Sequence, residues 1–435
     1  RLAVVSSPVN PPSPQRSAPG TPAGPVRPII LGGDIGAYAT ARAFHEAYGV
    51  RSVVIAGVAT GPVQYSNIVD LRVHADMSER SALVGIVRTI AAEQPGAAHL
   101  VLASADWLVE ELIAIRDQVA DVVTIPYADR SVIENASDKA IVMKVCRELG
   151  IPHPATQVVI PGVDAVDLAQ VTYPAIVKPA STSAAHAVSY PGQAKVHTVN
   201  SADELTALLA VMASAHMRGE VLIQEMIPGN DDSMAAVNVF IGPQGDVRFA
   251  QMGRVLLEEH TPSALGNSVA QITVDASADT GARAVIDDVL RLLRELTMTG
   301  FANIDLKRDE AGVYRLFEIN PRVGRSGYAV TASGYNVAEM YVQAYLEEQV
   351  VSAPVIGTRE HLFTVVPVPL VAKYAPAARQ RLSRLRRSKA ITNPLLYRHE
   401  RNPRRWLYIA SAMVNYVRKF RAHHPLSKDS QRRAG

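Results

Sequence analysis

The chain has 435 residues, of which 48% are hydrophobic and 20% are charged, and it contains a single cysteine. This length allows two to four domains with substantial cores, whereas one cysteine excludes an intrachain disulfide and a cysteine-based zinc site. No apolar run approaches the roughly 18 residues that a membrane span needs, so the cytoplasm is the expected compartment.

Charge and composition divide the chain. From Lys373 to the end, 17 Lys and Arg stand against 2 acids, whereas residues 1–372 carry 27 basic and 39 acidic residues. We therefore expect an acidic body and a strongly basic tail at 373–435. Residues 1–27 are rich in Pro, Ser and Gly and have no apolar core, which predicts a disordered leader.

Residues 28–133 alternate strand and helix patterns, with strands at 27–31, 51–56, 71–75, 99–103 and 122–125. This alternation predicts a small parallel α/β domain of Rossmann type. The turn Gly32-Gly33-Asp34-Ile35-Gly36 could be a dinucleotide fingerprint. However, nicotinamide-dependent dehydrogenases usually place an acid near the end of the second strand, and the strand VVIAGVATG ends without one. A domain that offers part of a substrate pocket is favoured, and a nicotinamide-dependent enzyme is the rival interpretation.

A second unit is predicted over residues 134–372. Ser137 or Asp138 can cap a helix that Gly150 ends. The apolar strand Tyr173–Pro179 follows and carries Lys178 near its end. The small, polar stretch Ser181–Lys195 is either a lid that closes over phosphates or an ordinary surface loop.

The next stretch leads from the strand Glu220–Gln224 into Glu225-Met226-Ile227-Pro228-Gly229. Strands at 234–241 and 247–256 follow, and a long helix is predicted at 278–297. Arg254 lies on the second of these strands. A guanidinium can bind two oxygens at once, so Arg254 is a candidate partner for a phosphoryl group or a substrate carboxylate, with an exposed arginine as the alternative.

The most informative stretch is 301–327, FANIDLKRDEAGVYRLFEINPRVGRSG, which predicts two strands joined by a turn at Glu310-Ala311-Gly312. Glu318 and Asn320 are two residues apart on one strand and therefore leave the same face. Asp305 on the preceding strand can reach that face. Two carboxylates and an amide oxygen form a partial shell that suits Mg²⁺ when phosphates complete it.

This hairpin resembles the metal-binding end of the ATP-grasp ligases. The resemblance extends over about Ile29 to Glu348 and includes Asp138-Lys139, Val177-Lys178-Pro179 and Gln224–Gly229. The segment from Lys178 to Val196, together with Asn393–Tyr397, resembles the D-aspartate ligases of cell-wall precursor synthesis. One departure is Asp305, where many members of the superfamily carry Glu.

The resemblance implies an α+β ATP-grasp domain after the first α/β domain, and roles for further residues. Lys139 and Lys178 would be directed at the nucleotide phosphates. The backbone at Glu225, Met226 and Ile227 would pass the adenine. Asp231 or Asp232 would bind the ribose hydroxyls, and Asp232 is preferred. ATP and Mg²⁺ (or Mn²⁺) are the expected cofactors, with Asp305, Glu318 and Asn320 as metal ligands.

The implied reaction joins a carboxylate to an amine through an acyl phosphate, with Arg322 and Arg254 stabilising the oxyanion. The acid is expected to be an amino acid, and the amine to lie on a peptidoglycan precursor. The alternative is an enzyme that uses bicarbonate, like carbamoyl-phosphate synthetases or biotin carboxylases.

The basic tail contains a helix pattern at Arg404–Arg421 with apolar residues at helical spacing. Such a helix could lie at the inner face of a membrane beside anionic lipid, or dock its apolar stripe on the protein body. An anionic cell-wall precursor would also suit this charge. No nucleic acid is expected, because interleaved aromatic residues for base stacking are lacking.

Overall fold

The computed structural model describes residues 24–180, 190, 192–194, 196–261 and 264–424. The predicted leader lies outside these residues except for its last four positions, and the predicted loop Ser181–Lys195 lies outside them except for Tyr190 and residues 192–194. Within the described part of the chain, no helix is both long and apolar enough to cross a membrane.

Four parallel strands form the sheet of the first unit, in the order β3-β2-β1-β4. The strands are β1 Val26–Leu31, β2 Ser52–Ala56, β3 Val69–Val73 and β4 Ala98–Ala103, and the helices are α1 Ile35–Tyr48, α2 Arg80–Ala92 and α3 Asp106–Val119. The predicted parallel domain is confirmed. The prediction of a strand at 122–125 is wrong, because this segment makes only an isolated bridge, between Leu100 and Thr124.

A pair of helices leads into a small antiparallel sheet. The helices are α4 Arg130–Ser137 and α5 Lys139–Leu149, the strands are β5 Thr156–Val159, β6 Ala175–Pro179, β7 His197–Val199 and β8 Val221–Glu225, and α6 is Ala202–Ser214. The carboxylate of Asp138 accepts from the N–H groups of Ala140 and Ile141, and Gly150 ends α5 in the left-handed conformation. Both predicted ends of α5 are thereby confirmed.

The largest sheet has eight strands, with the path β13-β12-β9-β10-β11-β15-β16 and β14 beside β10. Its strands are β9 Met234–Ile241, β10 Val247–Glu259, β11 Asn267–Thr273, β12 Gly300–Arg308, β13 Tyr314–Asn320, β14 Val355–Ile356, β15 Leu362–Thr364 and β16 Ile391–Thr392. The helices of this part are α7 Thr280–Glu295, α8 Tyr328–Ala332, α9 Val337–Tyr345, α10 Val368–Tyr374, α11 Arg379–Arg387 and α12 Pro403–His423. Strand β11 was not predicted.

The two faces of this sheet differ in chemistry. One face packs Val237, Met252 and Ile304 into a core shared with α5 and α7. The opposite face carries polar side chains in the middle of the same strands, and the amide of Asn303 donates to Asn238 at 3.2 Å. Strand pairing therefore gives the sheet one apolar face and one face with polar side chains at its centre.

The predicted tail is not a separate unit. Strand β16 adds to the large sheet by pairing with β15, and Leu382, Leu385 and Ile409 belong to a core that also contains residues of α1, β11 and β15. The apolar stripe of α12 thus docks on the protein body. This is one of the two arrangements predicted for the tail helix.

Candidate active site

Asp305, Glu318 and Asn320 lie together on one face of the β12–β13 hairpin. Asp305 is paired with Glu318, and Asn303 with Asn320, and paired residues of an antiparallel ladder leave the same face. The amide Nδ2 of Asn320 lies 3.0 Å from Oδ2 of Asp305. The hairpin thus brings together the three side chains that the sequence pattern predicted.

The carboxylates of Asp305 and Glu318 on this face repel each other. Burial and the neighbouring Glu318 carboxylate raise the pKa of Asp305 to about 7. The hydrogen bond from Asn320 and the charge of Arg322 lower this pKa, but by less. Two carboxylates held this close in a half-buried place favour a proton or a cation between them. The donor set, two carboxylates and an amide, has the chemistry of a Mg²⁺ site.

Two lysines reach this hairpin from neighbouring elements. Lys139, the first residue of α5, places Nζ 2.9 Å from Oε1 of Glu318. Its backbone N–H donates to the carbonyl of Ala180 at 3.2 Å, which ties α5 to the end of β6. On β6, the ammonium of buried Lys178 lies 5.5 Å from the ring centre of Phe317. Both predicted lysines therefore lie beside β13.

Arg322 connects the hairpin to the first unit. Its Nη2 donates to Oδ2 of Asp106 at 2.7 Å. Burial lowers the pKa of Arg322, but nearby carboxylates outweigh that effect and raise the pKa above its ordinary value. These carboxylates belong, in decreasing order of effect, to Asp106, Asp305 and Asp34.

The position of Asp34 and Asp106 follows from the parallel topology. Asp34 follows β1 in the glycine turn and caps α1, and Asp106 opens α3 after β4. In the order β3-β2-β1-β4, the chain connections run to opposite sides of β1, and open α/β sheets bind ligands in the crevice outside the carboxyl ends of the strands at such a point. Buried Nε of Arg322 and Oδ1 of Asp106 have no hydrogen-bond partner among the described residues, which leaves binding capacity at this crevice.

Arg254 is not brought to this face. Its neighbour Gly253 pairs with Ala236, which in turn pairs with Asp305, so Gly253 shares the metal-ligand face and Arg254 points to the opposite one. There its guanidinium donates to Asp279 at 2.7 Å and to the hydroxyl of Tyr314 at 3.2 Å. These contacts hold β10 to the start of α7, and they place Arg254 away from the other predicted site residues.

The segment predicted to pass the adenine follows β8. The carboxylate of Glu225 accepts from the N–H of Ala155 at 3.2 Å. Met226 is half-buried and Ile227 is buried, whereas Asp232 is exposed. The neighbouring acid, Asp231, is the buried one and accepts from the N–H of Glu258 at 2.8 Å.

Glu258 and Lys307 were missed by the sequence analysis. Burial, Asp231 and Asp305 raise the pKa of Glu258 to about 8, and Lys307 opposes that effect. Burial lowers the pKa of Lys307. Simple alternation along β10 would place Glu258 with Arg254, but two register irregularities between Val255 and Glu258 interrupt the alternation. Such a bulge has no reliable signal in a single sequence.

Comparisons with known proteins agree with this architecture. The chain is 28% identical to the D-aspartate ligase of Enterococcus faecium (strain Aus0004) over 415 residues, which are 91% of this chain and 96% of the relative. It is also similar in structure to the L-amino acid ligase of Bacillus licheniformis, with a TM-score of 0.52 and 16% identity over 74% of this chain and 75% of that one.

The biotin carboxylase domain of Hydrogenobacter thermophilus 2-oxoglutarate carboxylase, solved with MgADP and bicarbonate, aligns with a TM-score of 0.57 and 14% identity over 77% of this chain and 72% of that one. No protein-family model matches the chain. The chain has the ATP-grasp fold. The predicted resemblance to ATP-grasp ligases, and among them to D-aspartate ligases, is confirmed, and the predicted enzyme class agrees with relatives that are named ligases.

Within the ATP-grasp fold, Lys139 and Arg322 contact the face of Asp305, Glu318 and Asn320. Lys178 lies beside the neighbouring Phe317, whereas Arg254 lies on the opposite face of the sheet. The structure also adds Asp106 and Asp34 from the first domain. The buried carboxyl of Asp305, with Glu318 and Asn320 on the same face, is a donor set whose chemistry suits a divalent cation.

Proposed function

We propose that the chain is an ATP-dependent ligase that forms an amide bond between an amino acid carboxylate and an amine through an acyl phosphate. The observation that supports it most is the convergence of Asp305, Glu318, Asn320 and Lys139 beside Arg322. That set combines a cation site with fixed positive charges at the crevice between two domains.

In this proposal the nucleotide binds between the small antiparallel sheet and the large sheet. Lys139 and Lys178 neutralise phosphate oxygens, and Asp305, Glu318 and Asn320 hold the divalent ion. When bound, Mg²⁺ supplies positive charge to the phosphate oxygens of ATP. ATP displaces Lys139 from Glu318, a partly buried pair whose side chains keep some contact with solvent.

The reaction then has two steps. A carboxylate oxygen of the acid attacks the γ-phosphorus of ATP, and ADP leaves with the electrons of the broken P–O bond. The amine nitrogen attacks the carbonyl carbon of the acyl phosphate, inorganic phosphate leaves, and the nitrogen loses a proton. Arg322 holds the acid and the developing oxyanion, because its guanidinium faces the crevice with buried hydrogen-bonding capacity.

D-Aspartate is the proposed acid, because the whole-length relative is named a D-aspartate ligase. The proposed amine belongs to a peptidoglycan precursor. Exposed arginines of α11 and α12, among them Arg386, Arg404 and Arg418, would attract such an anionic substrate or an anionic membrane surface. The proposed location is accordingly the cytoplasm, at the inner face of the membrane.

The test is a panel of D- and L-amino acids incubated with MgATP, with and without a peptidoglycan precursor. Amine-dependent ADP release with D-aspartate, and a product heavier by one aspartyl residue in mass spectrometry, are the expected results. ADP release that requires bicarbonate and no amino acid would instead identify the carboxylating alternative.

A matched pair of variants separates the metal face from general damage. Glu318→Gln should reduce turnover by about 10²–10³-fold, since a carboxylate that holds the cation is lost. Glu310→Gln, in the exposed turn of the same hairpin, should retain wild-type turnover. A fully active Glu318→Gln enzyme would contradict the proposed metal face.

A further inference from the structure

A second cluster of side chains that can bind a metal shares no residue with the Asp305 face. It consists of Asp231 after β8, His260 after β10, and His424 at the end of α12. Nε2 of His260 lies 2.9 Å and 3.1 Å from the two oxygens of Asp231. Nε2 of His424 lies 3.4 Å from Oδ2 of the same carboxylate. Three segments distant in sequence therefore direct one ligand atom each at a common point.

The spacing suits a tetrahedral transition metal. With zinc–ligand bonds of about 2.0–2.1 Å, the ligand atoms of a tetrahedral site lie roughly 3.3 Å from one another. The measured separations from Asp231 bracket that value, and all three ligand atoms lie within 4.8 Å of one another. Two imidazoles and one carboxylate form a borderline-soft donor set, which favours Zn²⁺ over Mg²⁺.

The surroundings hold the ligands in place. The Asp231 carboxylate is buried and is fixed by the N–H of Glu258 at 2.8 Å. The ring of His424 stacks on Phe420, with centroids 5.6 Å apart, and meets Tyr374 edge-on at 5.1 Å. Ordered surroundings of this kind orient metal-binding side chains.

A hydrogen bond between Asp231 and His260 does not explain why a second histidine, His424, lies at the same carboxylate. Asp231 accepts from the N–H of Glu258 and lies within 3.1 Å of His260, and the ring of His424 meets the ring of His260 at a centroid distance of 4.3 Å. Two protonated imidazoles at this distance would repel each other. A metal ion accepts both rings in their neutral form and removes that repulsion.

We propose that Asp231, His260 and His424 bind Zn²⁺, with a water molecule in the fourth position. That position is available because the side chains of His260 and His424 are 32% and 23% exposed. The site is distinct from the proposed Mg²⁺ face, and it does not depend on the proposed ligase activity.

The bound ion would fasten the end of α12 to the large sheet. Asp231 lies six positions after Glu225, in the segment that leads from the proposed adenine-binding residues into β9. Zinc would therefore couple the C-terminal helix to the segment that follows the nucleotide pocket, and it would stabilise the docked tail.

The experiment measures zinc bound to untagged, metal-stripped protein by equilibrium dialysis and elemental analysis, with excess Mg²⁺ to occupy the Asp305 face. One equivalent is expected for the wild type. Asp231→Asn and His424→Gln should each weaken zinc binding by at least about 100-fold, since a direct ligand contributes more than the outer contacts, whose loss costs 10- to 100-fold. The matched control is His423→Gln, because His423 is the exposed neighbour of His424.

Cobalt provides a second readout that does not depend on stability or activity. Co²⁺ in a four-coordinate site absorbs visible light far more strongly than octahedral Co²⁺ at an all-oxygen site. We expect this band in the wild type, in His423→Gln and in Glu318→Gln, and its loss in His424→Gln. The proposal is overturned if the wild type binds no zinc in the presence of Mg²⁺, or if His423→Gln and His424→Gln behave alike.

Discussion

Charged residues are used in opposite ways at the β12–β13 hairpin and at the C-terminal tail. At the hairpin, the Lys139–Glu318 pair keeps 17% and 29% of its side chains exposed. At the tail, the Arg405–Glu400 pair is 0% exposed on both sides, and Glu400 also accepts hydrogen bonds from Tyr38 and from the backbone of Asn67. The first pair can exchange its partner for a ligand, whereas the second cannot reach solvent at all.

The difference separates charges that serve binding from charges that hold domains together. An ion pair that keeps contact with solvent, such as Lys139–Glu318, can exchange one partner for water or for a ligand. A buried ion pair is poorly replaced, because the loss of one partner leaves the other charged in an apolar place. We therefore expect substitutions in the tail to change stability, and substitutions at the hairpin to change activity.

The largest expected effect is on stability, at Arg405. Arg405→Met should lower the free energy of unfolding by about 3–5 kcal/mol, because Glu400 is left buried without its cation. The measurement is urea unfolding with linear extrapolation. The exposed neighbour Arg404 provides the control, and Arg404→Met should stay close to the wild type.

A second variant distinguishes charge from packing at this pair. Arg405→Met combined with Glu400→Gln should recover part of the lost stability, since the amide keeps hydrogen bonds without a buried charge. If the double variant is as unstable as the sum of the two single variants, the argument from the unpaired charge fails.

The next effect is on activity, and it compares two arginines on opposite faces of the large sheet. Arg322→Met should reduce kcat by about 10²–10³-fold, as removal of an oxyanion donor does in other acyl-transfer enzymes. Arg254→Met should leave kcat within a few-fold of wild type and instead lower stability, because its partners are Asp279 and Tyr314. Steady-state kinetics of both variants with saturating MgATP decides the assignment, and equal losses of kcat would refute it.

A smaller effect concerns pH. The folded pKa of Asp305 is about 7 against an ordinary value of 3.8. Between these values the folded protein holds a proton that the unfolded chain has released, so the metal-free protein should lose stability as pH rises through that range. The slope is at most about 1.4 kcal/mol per pH unit, and solvent contact at this half-buried group reduces it.

Asp305→Asn should flatten this dependence, because the amide does not titrate. Urea unfolding of both proteins across the same pH range, in the presence of a chelator, measures the difference. Curves that stay parallel for the wild type and Asp305→Asn would show that another group carries the pH dependence.

The hairpin could be predicted from sequence because its pairing is local. Fewer than twenty residues separate Asp305 from Asn320, and alternation of side chains places them on one face. Contacts between segments that are distant in the sequence cannot be recognised from side-chain alternation. Asp106 meets Arg322 across 216 positions, and His424 meets Asp231 only after the tail has crossed the first domain. The opposite orientation of Arg254 and the position of Glu258 depend on strand register and a bulge, which alternation alone does not predict.

The smallest expected effect lies at the surface of the tail. Glu360 accepts from both Arg381 and Arg384, and these three side chains are 27–64% exposed. Glu360→Gln should therefore cost only about 0.2–1 kcal/mol, and less as salt is added, since exposed pairs are screened. Leu385→Ala, on the helix α11 that carries Arg381 and Arg384, should cost about 2–5 kcal/mol, because Leu385 is 3% exposed. If urea unfolding reversed this order, exposed ion pairs would hold the tail to the body as strongly as buried groups do, and the distinction between exposed and buried charges would be lost.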